Sequence, residues 1–190
     1  PRDVVFTSGG TEANNLALRS AFAAAPGHLV TSRLEHPSAT RVAEALEAEG
    51  RARVTWLPVA PSGVVELEAL ERVLREGPVT LVAVQAVNHE TGVLQPVEEV
   101  VALAHRHGAR VHVDAVQAFG RVDAVGNGAD TRSLAAHKLR GPKGIGALVQ
   151  RPSLRLAPLL LGGAQERGLR PGTVDAANAV GFGVAAQHAG

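Results

Sequence analysis

The sequence contains no cysteine in its 190 residues. That excludes disulfides, thiolate metal sites and a thiol nucleophile within this chain. Aromatic surface is scarce as well: Trp56 and four phenylalanines leave little on which nucleic-acid bases could stack. No sign of charge dominates, since nineteen Lys and Arg face eighteen Asp and Glu, scattered along the chain, for a net charge of +1. The electrostatic footprint of a nucleic-acid binder is missing, and no nucleic-acid partner is expected. No apolar run approaches the roughly 20 residues that span a bilayer, and the N-terminus lacks the charged start and apolar stretch of a signal peptide. The expectation is a soluble, cytoplasmic protein with no membrane partner.

The length suits one large domain with a sizeable core. The chain starts at Pro1 in place of methionine, enters an apolar segment almost at once and stops at Gly190 directly after a helical pattern. It reads as a piece of something longer.

Short apolar or β-branched runs recur at 4–7, 28–31, 53–58, 79–87, 110–114, 131–134 and 145–149. Several are continuously apolar, as strands buried on both faces are. Helical spacing lies between them. Ala39, Val42, Ala43 and Leu46 fall at i, i+3, i+4, i+7 between Ser38 and Glu49, with Pro37 suited to the first turn and Gly50 to the stop. Val97, Val100, Val101 and Ala104 repeat the spacing before Gly108. A further helix is expected from about Thr11, and another over about 174–189. "APSG" at 60–63 and "VGNGAD" at 125–130 read as loops. Alternating strands and helices imply a mostly parallel sheet with helices on both faces, whose ligands bind beyond the carboxyl ends of the strands.

Those ends carry the informative residues. "FTSGGTEANN" (6–15) passes through Ser8, Gly9 and Gly10 into a helix opening with Thr11; the glycines permit close backbone approach and the first-turn N–H groups attract anions. It is equally an ordinary capped turn, and it is not a Walker loop, because no Gly-Lys-Ser/Thr follows. "SRLEHPSAT" (32–40) sets His36 before Pro37, either as a cap or as a ring over a flat ligand. In "QAVNHETGVLQP" (85–96), Asn88, His89 and Glu90 either satisfy a turn or face a ligand. "RVHVDAVQAFG" (110–120) ends an apolar strand in Asp114, with Gln117 three residues on; a buried carboxylate requires a cation or donors, and a protonated ring nitrogen is one such partner. Finally, "LAAHKLRGPKGIGALV" (134–149) delivers His137 and Lys138 from a strand end. A lone lysine is usually a solvated charge, but one held among apolar atoms can serve as nucleophile or base. His105 and His107 are two residues apart on a helix and do not share a face. With no cysteine and no His-x-x-x-His pair, no metal site is expected.

Together "TSGGTEANNLAL", "LEHPSA", "VNHETGVLQP", "VHVDAVQAFG", "AHKLRGPKGIGAL" and "GGAQERGLRPGTVDAANAVG" resemble the cysteine desulfurases of the class V, fold-type-I pyridoxal 5'-phosphate (PLP) enzymes, in family order over nearly the whole chain. The resemblance implies an α/β three-layer sandwich with a mostly parallel seven-stranded sheet. Residues 1–190 would form the PLP-binding large domain of this transferase, without an N-terminal segment and the C-terminal small domain. It implies that Lys138 anchors PLP covalently and is the catalytic base, that His36 stacks on the pyridine ring, and that Asp114 pairs with the ring nitrogen. Gln117 and Asn88 would lie at the phenolic-oxygen side. Gly10, Thr11 and His137 belong to the phosphate end, and Thr173 would reach the phosphate of the neighbouring subunit in a homodimer. The substrate implied is L-cysteine, its sulfur passing through an enzyme persulfide to an acceptor, such as the scaffold protein of an iron–sulfur cluster pathway.

The chain departs from the family at several points. It lacks the persulfide-forming cysteine and the arginine expected to hold the substrate carboxylate, both placed by the family beyond Gly190. Ala135 stands where the family usually has a serine donating to the PLP phosphate, a loss of about 1.5–3 kcal/mol if not offset. Lys143 matches no catalytic position and reads as scaffold. Arg132, in a strand expected to be apolar, is expected at an edge or facing solvent. Two alternatives accompany the desulfurase reading: another class V enzyme such as a selenocysteine lyase, and a non-catalytic remnant that binds a partner.

Overall fold

A computed structural model describes residues 3–123 and 126–189. In chain order the elements are β1 (Val4–Thr7), α1 (Gly10–Ala21), β2 (Gly27–Ser32), α2 (Pro37–Ala48), β3 (Ala52–Leu57), α3 (Leu67–Glu76), β4 (Leu81–Gln85), α4 (Val97–Arg106), β5 (Arg110–Asp114), β6 (Thr131–Ala135), β7 (Gly146–Gln150) and α5 (Ala176–Gln187). Short 3-10 turns cover Ala136–Leu139 and Gln165–Gly168.

The seven strands form one sheet in the order β1-β7-β6-β5-β4-β2-β3. Only β7 runs against its neighbours, β1 and β6; the other pairings are parallel. The carboxyl ends of β1, β2, β4, β5 and β6 therefore emerge on one side of the sheet, where the register aligns Gln85 with Asp114 and Asp114 with Ser133.

Side-chain alternation divides the core in two. Leu29, Leu81, Ala83 and Leu148 pack with the apolar faces of α1 and α2, among them Leu16, Leu18, Val42 and Leu46. Val30, Val82, Val84, Val111 and Val113 pack with α3 and α4, including Leu70, Leu74, Val100 and Val101. Phe182 of α5 joins this second layer. Full burial of such side chains contributes about 1.5–3 kcal/mol each. The result is the expected three-layer α/β sandwich.

α2 begins with Pro37 at its first position, where a missing N–H costs nothing. Gly108, at φ 75°, follows α4 in the left-handed conformation that glycine adopts freely. α3 has no counterpart among the helices read from sequence, although Leu67, Leu70 and Leu74 repeat at helical spacing. The loop expected at 125–130 begins at Val125, outside the described residues; 126–128 form a turn. Of the two placements expected for Arg132, the edge is excluded and the partly solvent-facing one holds: it lies on β6, an interior strand between β5 and β7, with an intermediate exposure. Its long stem lets the half-buried guanidinium reach Asn127 Oδ1 at 3.2 Å.

Candidate active site

The strand ends open into a cavity of ≈ 250 Å³. Its walls bring together Gly10, Thr11, His36, Asp114, Gln117, His137 and Lys138, residues far apart in sequence. Asn14, Ser38, His89, Val116 and Ala135 also line it.

β5 carries Asp114 to the cavity floor, where it is 9 % exposed. Oδ2 accepts from Asn14 Nδ2 at 2.7 Å and Oδ1 from the Val116 amide at 3.0 Å. Burial pushes the carboxyl above the usual carboxylate range, while these donors and the nearby His36 and His89 oppose that rise. A cationic ligand nitrogen would stabilise the anion further.

His36 follows β2 and caps α2: Nδ1 accepts from the Ser38 amide at 3.1 Å and lies 2.8 Å from Ser38 Oγ. The cap and the cavity wall are thus the same ring. Burial lowers its pKa; Asp114 pulls the other way, and His89 and Lys138 add to the lowering. Immediately before it, Glu35 is pushed up to about 8 by burial, with the Asp114 charge acting in the same direction and the Ser32 hydrogen bond against it.

β6 ends in Ala135, and the 3-10 turn Ala136–Leu139 swings His137 and Lys138 into the wall. Lys138 is half-buried and its carbonyl accepts from Arg121 Nη2 at 2.6 Å. Arg121 Nη1 also donates to Gln117 Oε1 at 2.7 Å, so one guanidinium braces both residues. His137 is exposed, and its pKa is lowered by partial burial and by the charges of Lys138 and Lys143. Lys143 is exposed and outside the cavity wall.

At the opposite end, α1 starts at Gly10 after Gly9, whose position supplies no side-chain cap. Its leading N–H groups remain donors beside Thr11. A Cβ on Gly10 would come within 2.6 Å of Val116 Cγ2, so glycine here lets the helix start close against the wall.

Two expected site residues lie elsewhere. Asn88 is buried but is not in the wall: Oδ1 accepts from the Glu90 and Thr91 amides and the Thr91 hydroxyl, and Nδ2 donates to Leu34 O at 3.1 Å. It clamps the turn after β4. Thr173 is exposed on a separate cleft with Ser8, Glu166 and Arg170.

Asn14 and Arg121 carried no assignment from sequence. Asn14 had a signal, being polar on the same helical stripe as Ala17 and Leu18; Arg121 sits in a turn, where an arginine is unremarkable.

The aminotransferase class-V family matches residues 1–189. The chain belongs to that family. Over 194 residues it is 43% identical to the mitochondrial cysteine desulfurase of Eremothecium gossypii, covering 98% of this chain and 39% of that protein. Among solved structures, a NifS-like protein superposes with a TM-score of 0.93 at 35% identity, over 100% of this chain and 53% of the other. A structure titled SspA in complex with cysteine gives 0.90 at 38% identity, over 99% and 56%. The chain thus spans about half the length of these proteins or less.

Class-V enzymes of this kind depend on PLP. The cavity's donor set fits that group: a buried carboxylate for a ring nitrogen, an imidazole beside it, a lysine at the turn, and an uncapped helix start for a phosphate.

Proposed function

We propose that this chain is the PLP-binding large domain of a cysteine desulfurase, acting on L-cysteine to release L-alanine and pass the sulfur to a thiol as a persulfide. The observation that carries this reading is the convergence of His36, Asp114 and Lys138, from the ends of β2, β5 and β6, on one cavity.

PLP, when bound, supplies an electron sink for breaking bonds at the substrate Cα. The chain's own residues do the rest. Lys138 would hold the cofactor covalently through Nζ, and its amine, when free, would serve as the base for the substrate Cα proton. Asp114, fixed by Asn14 and the Val116 amide, would stabilise a protonated pyridine nitrogen. His36 would stack on the ring, Gln117 would serve its phenolic oxygen, and Thr11, the first-turn amides of α1 and His137 would hold the phosphate. Because residues 1–190 contain no cysteine, the accepting thiol comes from outside them.

The same reading includes a homodimer, in which the exposed Thr173 serves the partner's phosphate site, and a sulfur-acceptor protein such as an iron–sulfur scaffold. A cytoplasmic location is part of the same reading, carried over from the sequence. No described helix is long and apolar enough to cross a membrane. Alanine formed from L-cysteine by the full protein, with L-selenocysteine in parallel, tests the activity. Alanine from cysteine, lost in Lys138→Ala, is expected; alanine from selenocysteine alone would shift the assignment to a lyase of that substrate.

A further inference from the structure

We propose that Asn14 is a positioning residue that ties the orientation of Asp114 to that of His36 through a single buried amide. This inference rests on the PLP reading above for its consequence, but its geometry belongs to the chain itself.

Asn14 is 1% exposed and uses the full hydrogen-bonding capacity of its amide. Nδ2 lies 2.7 Å from Asp114 Oδ2 and 2.7 Å from Ser38 Oγ. Oδ1 lies 3.0 Å from His112 Nε2 and accepts from the Ser133 hydroxyl. His112 Nδ1 is in turn 2.9 Å from Thr131 Oγ1. These partners come from α2, β5 and β6, around Asn14 on α1, and every one of them is buried.

The direction of each hydrogen bond follows from the carboxylate. An ionised Asp114 only accepts, so the amide must turn Nδ2 toward it; the flipped amide would set oxygen against oxygen. Oδ1 then faces His112 and Ser133, which both donate. His112 therefore carries its proton on Nε2, leaving Nδ1 to accept from Thr131. On the other branch, Ser38 Oγ receives the second Nδ2 hydrogen and directs its own hydrogen at His36 Nδ1. The Ser38 amide donates to the same nitrogen. His36 is thereby held with its proton on Nε2. Burial keeps His112 neutral, with its pKa pushed down to about 3, as this tautomer requires.

The charged and titratable groups facing Asp114 are His36 and Glu35 after β2 and His89 after β4; Lys138 after β6 acts on His36. None of them reaches Asp114 through a hydrogen bond. Asn14 and the Val116 amide are its donors. Loss of the Asn14 donor leaves the carboxylate more basic, so it would hold more tightly a proton shared with a cofactor ring nitrogen. A ring held there would be electron-richer, and the bound cofactor would titrate at higher pH.

Two measurements test this. In the cofactor-free wild-type protein, 15N NMR of the histidine side chains should show His112 and His36 both protonated on Nε2 and bare on Nδ1. His112 protonated on Nδ1, or titrating above pH 5, overturns the proposal without any variant. In the PLP-loaded full protein, the absorbance of the bound cofactor is titrated against pH. Asn14→Leu, which removes the donor without adding a charge, should move the midpoint up by about one pH unit, the scale of one charge-assisted hydrogen bond. His112→Phe should move it likewise, and His112→Gln, which keeps a donor toward Asn14, should restore it. A cofactor-loaded Asn14→Leu with an unchanged midpoint overturns the proposal. Wild-type protein that takes up no PLP instead overturns the functional reading, while the NMR result still decides the role of Asn14.

Discussion

His36 and His89 meet edge to face, with ring centroids 5.1 Å apart and planes inclined by 72°. In that contact His89 Nδ1 is buried with no hydrogen-bond partner among the described residues. An unpaired buried polar atom costs about 1–3 kcal/mol. His89→Phe keeps an aromatic edge against His36 and removes the orphan nitrogen. Urea unfolding should show a gain of about 1 kcal/mol; a loss of that size would mean that the nitrogen has a partner.

Gly146 of β7 lies under the turn into α1. A Cβ there would come within 2.6 Å of the Gly9 backbone and of Leu134 O, neither of which can rotate away. Gly146→Ala should cost about 3 kcal/mol by overpacking. Gly183→Ala is the contrast, because a Cβ at this position in α5 meets nothing within 4 Å. It should gain about 0.5–1 kcal/mol from helix propensity, both values being read from urea midpoints.

Glu35 makes stability pH-dependent. Its carboxyl is raised from 4.5 to about 8 in the folded protein, so between those values the folded state holds the proton that the unfolded state has released. Stability falls as pH rises through that window, by at most about 1.4 kcal/mol per unit. Glu35→Gln keeps the acceptor for the Ser32 hydroxyl, 2.7 Å away in the native chain. Melting curves at pH 5 and pH 8 should show a smaller loss in the variant. His112, depressed to about 3, acts oppositely: it withdraws stability as pH falls from about 6.5 toward 3. Equal losses in wild type and Glu35→Gln between pH 5 and 8 would contradict the assignment.

Ala135 is buried in the cavity wall next to Gly10, at the end that would hold the phosphate. Ala135→Ser adds a hydroxyl there. PLP should bind about tenfold more tightly in equilibrium dialysis, the lower range of a hydrogen bond to a charged group. Unchanged or weaker binding would place the phosphate elsewhere.

Much of this fold is legible because a sheet buried on both faces requires continuous apolar runs, and all seven became strands. The strand-end rule also pointed to Asp114 and Lys138 before any contact was known. What the sequence hid depends on tertiary pairing. Asn14 lies 100 residues from Asp114 and 119 from Ser133, and its place on an apolar helical stripe marks it as inward-facing without naming these partners. Asn88 has the chemistry of a ligand-binding residue, but its amide is taken up by three local donors within its own turn. For Arg132 the residue type points to solvent, which its partial exposure matches, but strand order alone decides that β6 is not an edge.

The central claim is that Lys138 is the residue that carries PLP. Borohydride reduction of the PLP-treated full protein, followed by peptide mapping, tests it most directly. The account predicts a phosphopyridoxyl label on Lys138 and none on Lys143. A label on Lys143, or none on Lys138 in protein that has bound PLP, would contradict it.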